Sequence, residues 1–314
     1  LTFGLRAYRR LQSCKHYDIL HDNQCLSYGI WALARRIPTV VTIHHPITVD
    51  RDLAVQSETH PLKKAKHLRW YSFIGMQKRV APHFKRIITV SETTRTDIGR
   101  KFRISPERFS VVPNGIDTAR FHPLPGVVRE PYRLMVTNSA DTALKGLHVL
   151  LHAIAHLTPS LPQLHLVVVG MPQKESPVRK LIRELDLGRQ VRFTGRIDQA
   201  EFNRQYARAW CAVVPSLYEG FGLPAGEAMA CGVPVISTTG GALPEVIGNA
   251  GLLVPPGDHL ALADAIDQIC SNPRLAAALG HAGYTRVVTH FTWEQAAQKT
   301  VTAYLRTIDD YRRL

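Results

Sequence analysis

The sequence predicts an α/β protein of two domains, each built on a parallel sheet covered by helices on both faces. Three observations carry this. Short continuous runs rich in Val and Ile alternate with helical stretches along the whole chain, as strands buried on both faces do. At 314 residues the chain is long enough for two such domains. A single break, with Asn114-Gly115 and then Pro123-Leu124-Pro125-Gly126, reads as turn and linker and puts the domain boundary near residues 117–130. The predicted strands are 18–20, 39–44, 86–91 and 109–113 before the break. After it they are 133–137, 165–170, 191–195, 211–215, 234–237 and 251–254. Helices are expected between most of them, among them 146–155 and 225–230. The segment 292–314 reads as a last helix with Thr292 as its cap and Gln295 three residues on.

Apolar residues make up 45% and charged residues 20%, the balance of an ordinary globular protein. No run approaches the ~18 apolar residues of a membrane span, and no charged start followed by an apolar run suggests a signal peptide. Five scattered cysteines, never in C-x-x-C spacing, argue against a disulfide framework or a zinc site and for a reduced, cytoplasmic setting. The net charge of +14 is uneven. Residues 1–124 hold 21 Lys and Arg against 9 Asp and Glu, and residues 59–91 hold eight Lys and Arg with no acid. Between residues 60 and 86 Lys63, Lys64, Lys66 and Arg69 stand beside Trp70, Tyr71 and Phe73. That mixture suits an anionic membrane interface, a nucleic acid, or simply a solvated helix face. No RRM-like, KH-like or helix-turn-helix pattern supports nucleic acid, which is not expected as a partner.

Chemistry concentrates in the second half. Glu219 and Glu227, seven residues apart, flank Gly220-Phe221-Gly222-Leu223-Pro224-Ala225-Gly226. The stretch leaves a predicted strand and enters a helix, so Glu219 falls in the loop at a strand's carboxyl end, where parallel sheets bind ligands. Two carboxylates there can accept hydrogen bonds from vicinal hydroxyls of a ribose and a hexose. The glycines let backbone approach a ligand and leave N–H groups free at a helix start. Taken alone, the stretch also reads as a helix start with two solvated glutamates. Gly240-Gly241 repeats the strand–glycine–helix arrangement and would turn backbone N–H groups toward an anion. Lys145, before Gly146 at another helix entry, is placed for a phosphate charge or stands as a solvated lysine.

The order Lys-Gly, then E-x7-E, then Gly-Gly-x-x-Pro-Glu-Val resembles the family 4 (group 1) retaining glycosyltransferases of GT-B fold. Pro113-Asn114-Gly115-Ile116-Asp117 is similar to that family's P-N-G-[VI]-D segment, and the strand ending in His44 to its V-x-x-x-H strand end. The likeness runs from about Tyr17 to the last helix. It implies two Rossmann-like domains facing across a cleft: 1–122 on the acceptor side, 123–293 binding the nucleotide-sugar, and 294–314 as a helix crossing back to the first. It further implies transfer of a sugar from a nucleotide diphospho-sugar with retained configuration, using neither metal nor cofactor. The acceptor it implies is a saccharide or a lipid-linked glycan, met in the cytoplasm or at the inner face of the membrane.

Carried over by resemblance, Glu219 holds hydroxyls of the transferred sugar, Glu227 the ribose hydroxyls, and Lys145 the pyrophosphate. Gly220, Phe221, Gly222 and Leu223 present backbone to sugar and phosphates. His44 sits by the reacting centre, with His45 as the neighbouring alternative. Gly240, Gly241, Asn138, Ser139 and Asn114 complete the donor-binding set. Two departures stand out. The family's Gly-Arg before the lysine is replaced by Asn138-Ser139, which removes one charged phosphate contact worth ~1.5–3 kcal/mol. The chain also begins after the family's first strand and Gly-rich loop, so the first domain reads as truncated. A nucleotide-sugar- or glycan-binding relative without turnover is therefore the alternative function.

Overall fold

The computed structural model describes residues 2–13, 17–56, 58, 60–137, 142–173 and 176–313. They form two compact units, one of residues 1–113 and 294–314, the other of residues 114–293.

The first unit is built on a four-stranded parallel sheet of β1 (Leu20–Asn23), β2 (Thr39–Ile43), β3 (Arg86–Thr89) and β4 (Phe109–Val111), in that spatial order. All five residues of β2 are buried, because both sheet faces are covered. One face packs Val41, Ile43 and Ile87 against Leu26, Ile30, Leu33, Phe84, Ile98 and Phe102. The other packs Val40, Ile88 and Val112 against Ala296 and Ala303 of the last helix, Trp293–Arg312. That helix is tied to the sheet by the Arg86–Asp310 ion pair at 2.7 Å and by Tyr304, whose hydroxyl lies 2.6 Å from His21 Nδ1.

Two sequence expectations change here. The first strand lies at Leu20–Asn23 instead of 18–20, so His21, Asp22 and Asn23 are strand residues and not a following loop. Asp22 is buried, and its carboxylate accepts the Leu26 N–H at 2.8 Å to start the next turn of chain. The basic stretch 60–86 is also not one surface. The helix Pro61–Trp70 buries nothing, whereas the helix Ile74–Val80 puts Ile74, Gln77 and Val80 inside and Arg86 is spent on Asp310. Apolar residues at 74, 80 and 84 draw the later half into the core.

The second unit carries six parallel strands: β5 (Arg133–Thr137), β6 (His165–Val169), β7 (Val191–Phe193), β8 (Cys211–Val214), β9 (Val235–Thr238) and β10 (Leu252–Val254). Their spatial order is β10-β9-β8-β5-β6-β7. The chain winds outward from β5 one way, returns, and winds outward from β8 the other way. The switch point therefore lies between β5 and β8, where doubly wound sheets open a crevice at their carboxyl ends. The helices Leu147–Leu157 and His259–Ser271 share a core with one face of this sheet, built on Leu134, Val136, Leu166, Val168, Val213 and Ile236.

The division after Pro113 falls earlier than the expected 122/123. Ile116 is the reason. Its N–H donates to Phe291 O at 2.7 Å, it pairs with Thr292 in an isolated bridge, and its side chain fills the space beside Gly226. Phe121 then packs edge-on to Phe202 and Tyr206. These contacts bind 114–121 to the second unit.

Candidate active site

The loops leaving β5 and β8 meet at the switch point. Gly146 has φ +66°, and a Cβ there would lie 1.9 Å from Pro215 O, so only glycine lets the first loop close on the second. The Leu217 N–H donates to Leu144 O at 2.8 Å and locks the approach. The result is an ion pair between residues 74 apart: Lys145 Nζ lies 2.7 Å from Glu219 Oε1. Ser216 Oγ donates to the same oxygen at 2.7 Å, which leaves Glu219 Oε2 without a partner among the described residues. The two side chains are only 27% and 13% exposed, so the pair is weakly screened and its orientation well defined. Together with Val136, Thr137, Pro215 and Pro224 they line a small pocket at the ends of β5 and β8.

The chain continues into the helix Leu223–Ala230, with Gly222 at its N-cap in a positive-φ conformation. Pro224 has no N–H, and the Ala225 and Gly226 N–H groups donate to Gly222 O at 3.0 and 3.3 Å, so what this end offers an anion is chiefly its dipole. The ring of Phe221 is buried edge-on to Phe291 at 5.6 Å. Backbone is what it has to offer a ligand. Glu227 lies one turn into the helix and does not join Glu219. It accepts from the Tyr206 hydroxyl at 3.3 Å. Burial pushes its carboxyl above the ordinary range, against the opposing pull of Tyr206 and the Arg120 guanidinium.

The double glycine also shapes the loop that carries Glu219. The Gly240 N–H is used internally, donating to Thr238 Oγ1 at 3.2 Å. Gly241, at φ +65°, pairs with Glu219 in an isolated bridge, and a Cβ there would meet Glu219 O at 2.2 Å. The pair thus positions the backbone of Glu219. Asn114 opens the second unit and is half-buried. Asn138 and Ser139 lie outside the described residues.

In the first unit His44 closes β2. Its Nε2 lies 2.7 Å from Asn23 Oδ1, and its N–H donates to Gln24 Oε1 at 3.1 Å. Burial, and then the charge of His45, hold its pKa below the ordinary histidine value, so the ring is neutral at pH 7. His45 instead contacts Asp50 at 2.5 Å. His21, unnoticed in the sequence because it was read as loop, bridges Thr42 Oγ1 (2.7 Å) and the Tyr304 hydroxyl, and burial and then His44 lower its pKa as well. A strand assignment starting at residue 20 would have placed it opposite Val40 and Asn23 opposite Thr42, near the end of β2. The D-x-D tripeptide Asp50-Arg51-Asp52 has the spacing of a metal-ligating pair and stands outside the site residues named from sequence. Asp50 is engaged by His45, and Asp52 by Arg51. Among the described residues no group of three or more His, Cys, Asp or Glu is placed to hold a metal ion.

The family model described as glycosyl transferases group 1 matches residues 126–286, and that of Glycosyltransferase Family 4 matches residues 1–120. An MMP alpha-(1->4)-mannosyltransferase of Mycolicibacterium hassiacum is 41% identical over 98% of this chain and 75% of its own length. A D-inositol 3-phosphate glycosyltransferase of Streptomyces bingchenggensis is 30% identical over 95% of this chain and 69% of its own. Among solved structures, the sucrose-phosphate synthase of Thermosynechococcus elongatus superposes with a TM-score of 0.80 at 27% identity, covering 99% of this chain and 78% of that one.

Proposed function

Because the chain belongs to the glycosyl transferases group 1 family and is a glycosyltransferase of GT-B fold, we propose that it takes a hexose from a nucleotide diphospho-sugar and transfers it, with retained configuration and without a metal or other cofactor, to a saccharide or lipid-linked acceptor. The observation that carries this is the Lys145–Glu219 pair at the switch point, beside the N-terminus of Leu223–Ala230. Lys145 and the helix N-terminus meet the charge that develops on a departing diphosphate, the task a metal performs elsewhere. Glu219 Oε2 is left to accept from hydroxyls of the transferred sugar. Glu227, one turn deeper, takes the ribose hydroxyls, and the backbone of Gly220, Phe221, Gly222 and Leu223 lines the phosphates. To His44 we assign a place at the reacting centre, where a neutral ring offers a hydrogen bond without competing for the leaving group's charge. The 41% identity to a mannosyltransferase makes mannose the first sugar to test.

Thermal unfolding of the whole chain with UDP, GDP, ADP and dTDP tests the donor site. One nucleotide should stabilise the protein by ~2.7 kcal/mol at a hundredfold excess over Kd. Lys145→Ala and Glu227→Gln should each abolish that shift. Absence of a shift with every nucleotide, in a sample that unfolds cooperatively, would sink the proposal.

We further propose that the enzyme works in the cytoplasm as a peripheral protein on an anionic membrane surface. No described helix is long and apolar enough to cross a membrane. The helix Pro61–Trp70 instead exposes Leu62 (76%) and Trp70 (73%) beside Lys63, Lys64 and Lys66, a pairing of apolar anchors with cations that suits anionic lipid. Vesicles containing anionic lipid should co-sediment the protein, and Lys63/Lys64/Lys66→Glu should release it. Equal binding of the triple variant would reject this surface.

A further inference from the structure

A second hollow of the second unit lies away from Glu219. It is a cavity of ≈ 480 Å³ on the other side of the molecule's chemistry, lined by the first residues of β5 and β6, by β7, and by the helix Gln199–Arg208. Arg133 and His165 begin their strands here, whereas Lys145 and Glu219 follow strand ends. The two sites therefore belong to opposite ends of the same sheet.

Its lining is basic beyond what its acids can balance. Arg133, Arg189, Arg192 and Arg208 all border the hollow, with Glu130 and Glu201 as the carboxylates. Glu130 is shared between Arg133 at 3.3 Å and Arg208 at 3.8 Å, and Glu201 is held by Arg204 at 2.7 Å. Among the described residues Arg189 and Arg192 have no acidic partner. Arg133 is buried, its side chain 5% exposed, and Gln205 fixes it from the helix. Burial holds the Arg133 guanidinium below the ordinary arginine value. Glu130 opposes this, while the charges of Arg208 and Arg192 push further down. Three guanidiniums thus repel one another around a space that an anion would relieve. One more group is unspent: Gln190 Oε1 is buried at the lining with no hydrogen-bond partner. A buried acceptor in that state costs stability until a donor reaches it.

We propose that this hollow is a second small-molecule site, separate from the donor site, that takes a phosphorylated polyol. The phosphate lies among Arg189, Arg192 and Arg133, where planar guanidiniums pair with its oxygens. The hydroxyls donate to Glu130, whose side chain is 48% exposed. Size agrees, since the cavity falls within the ~300–1,000 Å³ of small-ligand pockets. Occupancy bridges β5, β6, β7 and the helix Gln199–Arg208, whose Tyr206 contacts Glu227. The helix Gln199–Arg208 therefore borders both this hollow and Glu227.

Isothermal titration of the whole chain with sorbitol 6-phosphate at fixed ionic strength tests this, with sorbitol and inorganic phosphate as separate arms. One saturable site is expected in the wild type and, unchanged, in Lys145→Ala. Arg189→Glu/Arg192→Glu should weaken it by at least about tenfold, the loss of one charge-assisted contact. Both arginines are exposed, so folding should survive, and the milder Arg192→Gln should weaken binding in the same direction. No saturable heat, equal affinity in the charge-reversed protein, or loss in Lys145→Ala would each overturn the site. Inorganic phosphate binding as tightly as sorbitol 6-phosphate would overturn the assignment to a polyol.

Discussion

Glu227 shows how one side chain sets function against stability. Its carboxyl is buried beside Tyr206 and has a raised pKa, so the folded state holds a proton more tightly than the unfolded state does. The cost of burying the charge is absent below the unfolded-state pKa. It grows as pH rises toward the folded-state value and is complete above it. Glu227→Gln removes that cost. Its Tm should equal or exceed the wild type's at pH 7 and the advantage should vanish in acid, even as nucleotide binding is lost. A Tm well below wild type at pH 7 would show that Glu227 is structural. The residue types of the site were legible in sequence, because E-x7-E and Lys-Gly are local patterns. Tyr206 and the Gly240–Thr238 bond were not, because nothing in the local sequence marks a partner brought in by another helix or an N–H turned inward.

At the scale of elements, the site depends on two loops pressed together at one glycine. Gly146→Ala would add a Cβ 1.9 Å from the Pro215 carbonyl in a left-handed conformation. Backbone on both sides must move, at a cost of at least about 2 kcal/mol. Chemical denaturation should show that loss, and nucleotide affinity should fall with it because Lys145 shifts away from Glu219. Gly188, which has open space around it, is the control that should tolerate alanine. The strands themselves were readable because a strand buried on both faces leaves a continuous apolar run. All ten stretches expected as strands contain or overlap one in the structure. The short β1 was misplaced because its Leu-His-Asp-Asn sequence lacks such a run, and burial of Asp22 is secured by a backbone hydrogen bond instead.

For the molecule as a whole, the last helix belongs to the unit that is distant from it in sequence. Residues 294–314 cover Val40, Ile88 and Val112. Deleting them exposes these three residues, and buried apolar area of that kind contributes roughly 25 cal/mol per Å². Calorimetry of the shortened chain should show the first unit's transition lowered or lost while that of residues 114–293 persists. A single unaltered transition would mean that the helix is dispensable to the first unit.

The sequence by itself determined the run of strands apart from the place of β1, the presence of two α/β units, and the motifs that place the chain among glycosyltransferases. Each of these rests on local periodicity or short-range spacing, which the chain carries before it folds. The tertiary structure alone decided the strand order, and with it the site. Setting β5 beside β8 brings Lys145 within 2.7 Å of Glu219 across 74 residues. The same order leaves Arg133, Arg192 and Arg208 around one hollow. Strand order follows from how the sheet's two faces are packed by distant helices, an energy shared among many residues and written in no single segment.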